Sequence, residues 1–252
     1  MKNEILNVEF EVEKTVNREH GFQEKSLRFR GGDTRYKGIV KDNQLVAILG
    51  RNYKLIPNED VVLAVQKIGA KNGYMCGSKY EGWKLFEWIW SKNGKDEVKD
   101  GVIVVNSVDG TVALKCIAIT SFSGYTAILV SSRIQNIMRR HTKKAVSNID
   151  DLEFEINTVM AESTKYGEWL SKMGTLRAND HFDTLKVLFD KLPKVYVKGL
   201  QNAVEYKTFG DPTVKDIYEC VAKRIWSADL KMVTKMAYYR LLNDVVFVIA
   251  GL

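Results

Sequence analysis

Between Ser131 and Ala145 the chain reads SSRIQNIMRRHTKKA, with five cationic side chains, one histidine and no acid. The cations are Arg133, Arg139, Arg140, Lys143 and Lys144; the histidine is His141. Groups of this kind hold phosphates, through point charge, guanidinium forks and a ring N–H donor. Read as a helix, Arg133, Ile137, Arg140 and Lys144 share one face, with Arg139 and Lys143 in an adjacent i, i+4 row. Like charges at that spacing cost a few tenths of a kcal/mol, and bound phosphate removes that cost. The competing reading is a solvated face whose charges meet Asp150, Asp151, Glu153 and Glu155 just downstream. Residue types alone leave both open.

A second constellation mixes cations with rings. Arg28, Arg30, Arg35, Tyr36, Arg51 and Tyr53 surround one hairpin-like stretch, and Tyr80, Trp83, Phe86, Trp88 and Trp90 crowd the next. Single-strand binders stack bases on such rings and follow the backbone with cations. In WKLFEWIW the pattern assigns Trp83, Leu85 and a later ring to the core. The hairpin residues are then the better ligand candidates, because turns and strand ends stay exposed. Gly31-Gly32 before Asp33 lacks the Lys-Ser/Thr ending of a Walker loop and reads as a plain turn.

Catalytic signatures are missing from the sequence. His20, His141 and His181 form no HxH or HExxH pair, and Cys76, Cys116 and Cys220 form no CxxC. No catalytic residue, metal ligand set or cofactor is therefore assigned, and the chain is expected not to be an enzyme. A metal-dependent nuclease built on Asp151 and Glu155 is kept as an alternative.

The elements that must position these residues are legible in outline. Tyr36 to Val40 and Leu45 to Leu49 read as two strands around Lys41-Asp42-Asn43. Asn58 reads as the N-cap of a helix with Glu59 and Asp60 in its first turn, ending at Gly69 or Gly73. Two β-branched runs flank Asn106 to Gly110, with an Asp-Gly turn between paired strands. From Arg133 to about Met173 the apolar spacing is helical, and Asp211-Pro212-Thr213 opens one of several further helices. Strands and helices segregate along the chain, so the fold class is α+β. An antiparallel sheet with hairpins fills the N-terminal half, packed by helices, and the C-terminal half is helical. Residues 1–252 are expected to form one domain, with 1–130 mainly sheet and 131–252 mainly helical.

With 252 residues, 45% hydrophobic and 27% charged, the chain has an ordinary globular composition. Its net charge of +7 favours an anionic partner. The N-terminus lacks a signal-peptide core and the C-terminal VVFVIAGL is too short to span a bilayer, so neither export nor a membrane is expected. Scattered cysteines fit a reducing, intracellular setting.

Two segments together resemble one known family. YKGIVKDNQLVAILGRNYKLIPNEDVV is similar to its opening signature, in which a strand pair ends in Tyr-x-(Leu/Ile/Val)-x-Pro-Asn before a helix. VNSVDGTVALKCIAI resembles its Asn-Ser-x-Asp-Gly strand pair, and RRHT its Arg-His-Thr element. The family is the phage- and plasmid-associated domain-of-unknown-function family numbered 932, and the resemblance spans Arg35 to Lys144. TAILVSSRIQN departs from the element that usually precedes Arg-His-Thr. The resemblance implies replication or recombination in a virus or plasmid, with a distant, fold-level likeness to single-strand annealing recombinases. The expectation is a single-stranded DNA-binding, strand-annealing protein in the cytoplasm of a host cell, acting as a homo-oligomer. The alternative outside that class is a virion or host-interaction protein whose basic face meets another protein.

Overall fold

A computed structural model of the chain describes residues 9–11, 21–29, 32–91, 98–122, 124–134, 136–139, 141, 151–206 and 210–251. Four strands form a small antiparallel sheet in the order β1-β2-β3-β4: β1 (Glu9–Glu11), β2 (Phe22–Phe29), β3 (Gly32–Lys41) and β4 (Gln44–Gly50). The β3–β4 hairpin closes through Asp42 and Asn43, whose φ angles of 49° and 62° are left-handed. Short Asx side chains tolerate that conformation, which two-residue hairpin turns demand.

A larger antiparallel sheet follows. It comprises β5 (Met75–Glu81), β6 (Lys84–Trp90), β7 (Val98–Ser107), β8 (Leu114–Phe122), β9 (Tyr125–Ile128) and β10 (Ile137–Arg139). Its order is β10-β8-β7-β6-β5, with β9 also paired to β8. In the chain between the two sheets comes α1 (Asn58–Asn72), which packs on the large sheet and is stopped by Gly73 at φ 70°. Asn58 does not cap this helix, because its side chain turns inward. Its Oδ1 accepts a 2.9 Å hydrogen bond from buried Asn106, and its Nδ2 donates to the Trp83 carbonyl.

The C-terminal half is helical: α2 (Leu152–Ser163), α3 (Tyr166–Gly174), α4 (Phe182–Lys191), α5 (Lys194–Val197), α6 (Leu200–Tyr206), α7 (Val214–Ser227) and α8 (Met232–Ala250). Thr213 starts α7 in a capping box with Asp216, as the Asp-Pro-Thr run predicts. The chain is thus α+β, with sheet in its N-terminal half and helices in its C-terminal half.

Period-two alternation puts Leu85, Glu87 and Ile89 on one face of β6 and Phe86, Trp88 and Trp90 on the other. Helix α1 covers the first face, and α2 continues that layer over β7 and β8. On the second, Trp88 meets Trp226 of α7 edge-on at 6.1 Å. Helix α8 is pinned to β9 by polar bonds: the Tyr239 hydroxyl donates to the Thr126 carbonyl, and the Asn243 amide to those of Ile128 and Val130. A separate small core of Phe22, Ile39, Leu55 and Val108 joins the small sheet to the turn end of the large one.

One sequence expectation fails here. The helix predicted from Arg133 is absent among the described residues: Ile137 to Arg139 form β10, and α2 begins at Leu152. The Ile134/Ile137 spacing suits a helix, but β8 offers an open edge, and Cys116, Lys115 and Leu114 take Ile137, Met138 and Arg139 as strand partners. Tertiary hydrogen bonding overrides a short local pattern.

Candidate nucleic-acid interface

The basic segment does not act as one surface in the described residues. Arg133 is exposed in the loop after β9, and that loop is tied to α8. Asp244 accepts hydrogen bonds from the Ser131 hydroxyl (2.7 Å) and the Ser132 amide (2.9 Å). Arg139 turns toward α2, where its Nε donates to Glu155 at 2.6 Å and a terminal nitrogen lies 3.7 Å from Asp151. This is the pairing with downstream acids weighed from the sequence, and it occupies both carboxylates on which the nuclease alternative drew. Arg140, Lys143 and Lys144 lie outside the described residues.

His141 is buried rather than displayed. Its ring stacks on Tyr53 at 4.9 Å between centroids and 15° between planes, and its carbonyl accepts the Lys54 amide at 2.9 Å. Burial pushes the imidazole down to about 4, so it is neutral near pH 7. Tyr53 is half-buried, and its hydroxyl lies 3.3 Å from the carbonyls of Ser107 and Val108. Burial raises this phenol far above its ordinary value. The pair locks the turn end of the large sheet to the chain after β4 and offers no ring face for a base.

The hairpin candidates divide. Arg35, Tyr36 and Arg51 come together midway along β3, where it meets the end of β4 and the Arg51 amide donates to the Arg35 carbonyl. The Arg35 guanidinium sits 5.3 Å from the Tyr36 ring centroid, and all three side chains are exposed. Arg28 lies in β2, and Arg30 falls outside the described residues.

The C-terminal end of β3, at Lys41, holds a site the sequence reading missed. Trp83, assigned to the core from its pattern, sits instead in the two-residue turn between β5 and β6, 40% exposed. Gly82 before it, at φ 62°, supplies the left-handed residue the turn needs. Phe22 packs edge-on against the indole at 5.7 Å, and the Lys41 ammonium lies 4.9 Å from the Phe22 ring and 5.8 Å from that of Trp83. The indole lines a cleft of about 690 Å³ with Lys79, Lys84, Asp109, Lys231 and the first turn of α8. The legible signal was an aromatic directly after Gly82 and before Lys84, a turn position rather than a strand one.

Charges in the cleft are partly neutralised. Glu81 accepts the Met232 amide at 2.9 and 3.0 Å, capping α8 from another element, and pairs with Lys79 at 3.0 Å. Burial pushes Asp109 up, but hydrogen bonds from Thr111 and Ser107 and the Lys84 charge more than offset it, so its carboxyl titrates below the usual range. What the cleft presents is an accessible indole with ammonium groups beside it. Such a site can stack a flat ring and neutralise a phosphate. Among the described residues no group of three or more His, Cys, Asp or Glu side chains is placed to hold a metal ion. None of the described helices is long and apolar enough to cross a membrane.

Comparison with known proteins returns no matching family model, no matching curated protein and no matching solved structure.

Proposed function

We propose that this protein binds single-stranded nucleic acid along the small sheet, from the Trp83 cleft to the Arg35–Tyr36–Arg51 cluster. The observation that carries the proposal is the exposed Trp83 ring with Lys41 beside it, in a cleft that also holds Lys84 and Lys231. The end of β3 at Lys41 and its middle at Tyr36 thus each pair an exposed ring with cations. Lys41 and Tyr36 are five residues apart on one strand, about 17 Å at strand rise, with side chains on opposite faces, so a bound strand passes around the β4 edge of the small sheet. An extended single strand has the matching chemistry: flat bases at intervals and a phosphate between each pair. DNA as the ligand, strand annealing and a phage or plasmid setting belong to the same proposal. They draw on the resemblance of Arg35 to Lys144 and on the net charge of +7.

The test is fluorescence anisotropy with labelled single- and double-stranded oligonucleotides over a salt series. Binding to single strands is expected, weakening with salt at a slope of roughly 0.7 per neutralised phosphate. Absence of binding at low salt, or affinity indifferent to salt, overturns the proposal and leaves the protein-docking alternative.

A further inference from the structure

We propose that β5 is the contact strand of a homodimer, two copies joining their large sheets edge to edge about a two-fold axis at Ser78. Strand β5 ends the sheet and has one strand neighbour, β6. Six of its seven residues are exposed, with Met75 at 41% and Tyr80 at 51%. The two-residue turn at Gly82-Trp83 closes on a hydrogen-bonded pair, Glu81 with Lys84. Such pairs alternate along an antiparallel ladder. Lys79 and Gly77 therefore also bond inward to β6, while Cys76, Ser78 and Tyr80 aim their N–H and C=O groups outward. No other backbone group meets these outward groups among the described residues.

Proteins ordinarily protect such an edge with proline, a bulge or charged side chains, lysine above all. Strand β5 has no proline and its register with β6 is unbroken, and its two charges, Lys79 and Glu81, pair with each other at one end of the strand and so neutralise one another. The three outward residues are symmetric about Ser78, so a two-fold axis there satisfies all of them. Ser78 meets its own copy, and Cys76 meets Tyr80 on each side. Side chains allow the same register. Lys79 falls opposite Gly77 of the other copy, where a side-chain position has no heavy atom within 4 Å, so the lysine stem has room. An axis one residue further along, at Lys79, sets the two lysines against each other, which disfavours it. A second copy is therefore a better occupant than an unrelated strand, because the register is set by the chain's own residues. This contact is independent of the nucleic-acid proposal.

Light scattering coupled to size exclusion tests it. The wild type is expected at twice 28.7 kDa, about 57 kDa. Ser78→Pro removes an outward N–H, which an edge strand tolerates, together with the hydroxyl that faces Glu87, and is expected at 28.7 kDa with an unchanged circular dichroism spectrum. Should that variant fail to fold, Ser78→Cys decides. Facing Cα atoms in such a pair lie about 5.5 Å apart, within disulfide range, so mild oxidation should cross-link the variant quantitatively. Wild type should stay uncross-linked, since its two Cys76 residues lie four positions apart along the strands, about 14 Å. A monomeric wild type, a dimeric Ser78→Pro, a Ser78→Cys that does not cross-link, or equal cross-linking of the wild type overturns the proposal.

Discussion

The imidazole of His141 lies flat against the phenol ring of Tyr53, 4.9 Å away, although 88 positions separate them in the chain. Both residues are ligand candidates from sequence, and the fold uses them against each other. Burial holds the folded-state pKa of His141 at about 4, below its ordinary 6.5. Below pH 6.5 the unfolded chain takes up a proton that the folded chain refuses. The contribution to stability is therefore intact above 6.5 and is lost progressively as pH falls toward 4, reaching up to about 3 kcal/mol. Urea denaturation at several pH values should show this loss, and His141→Phe, which keeps the stack, should flatten it. An unchanged slope in the variant would mean that other groups carry the acid sensitivity.

Arg139 is expected to affect stability rather than binding. Its guanidinium and the Glu155 carboxylate are 20% and 9% exposed, so either partner left alone is a poorly solvated charge. Arg139→Ala or Glu155→Ala should each cost about 2 kcal/mol or more, and the double variant less than the sum of the two. A double-mutant cycle by urea denaturation measures the coupling. Oligonucleotide affinity of the folded Arg139→Ala protein should match the wild type.

Trp83 is the residue on which binding should depend most. Loss of one stacked base is worth about 1–3 kcal/mol, so Trp83→Ala should weaken single-strand affinity roughly tenfold or more, read by anisotropy. Trp83→Phe should recover much of it. Lys41→Gln should reduce affinity and shrink the salt slope, since it removes one phosphate contact. Tyr36→Ala tests the cluster midway along β3 and should have a separable, smaller effect.

Glu87 offers a route to a more stable protein. It is 1% exposed beneath α1, and burial raises its pKa, opposed only by the Ser78 hydroxyl across the β5–β6 pair. The folded chain therefore holds a proton that the unfolded chain releases, so this residue's contribution falls as pH rises above the ordinary carboxyl value of 4.5. Glu87→Gln should raise Tm near neutral pH, and the gain should shrink in acid. Differential scanning calorimetry at two pH values checks both halves of that expectation.

What was readable without coordinates had short-range causes. The β3–β4 hairpin follows from Asp42-Asn43 between two apolar runs, the β7–β8 pair from Asp109-Gly110, and the start of α7 from Asp211-Pro212-Thr213. Each is decided by groups within a few bonds of one another. The α+β order follows in turn, because strands and helices segregate along the chain. Other features depended on which distant segments meet. Arg139 is a strand residue because the edge of β8 was open, and it is neutralised because α2 places Glu155 beside it. Trp83 is exposed because the turn falls at Gly82-Trp83, where the periodic apolar pattern of WKLFEWIW reads as core. His141 is buried because Tyr53 arrives from the loop between β4 and α1. Periodicity records how apolar a segment is and how its faces alternate; it carries no record of which surface will cover it, and that choice is made only when the two sheets and the helices close on one another.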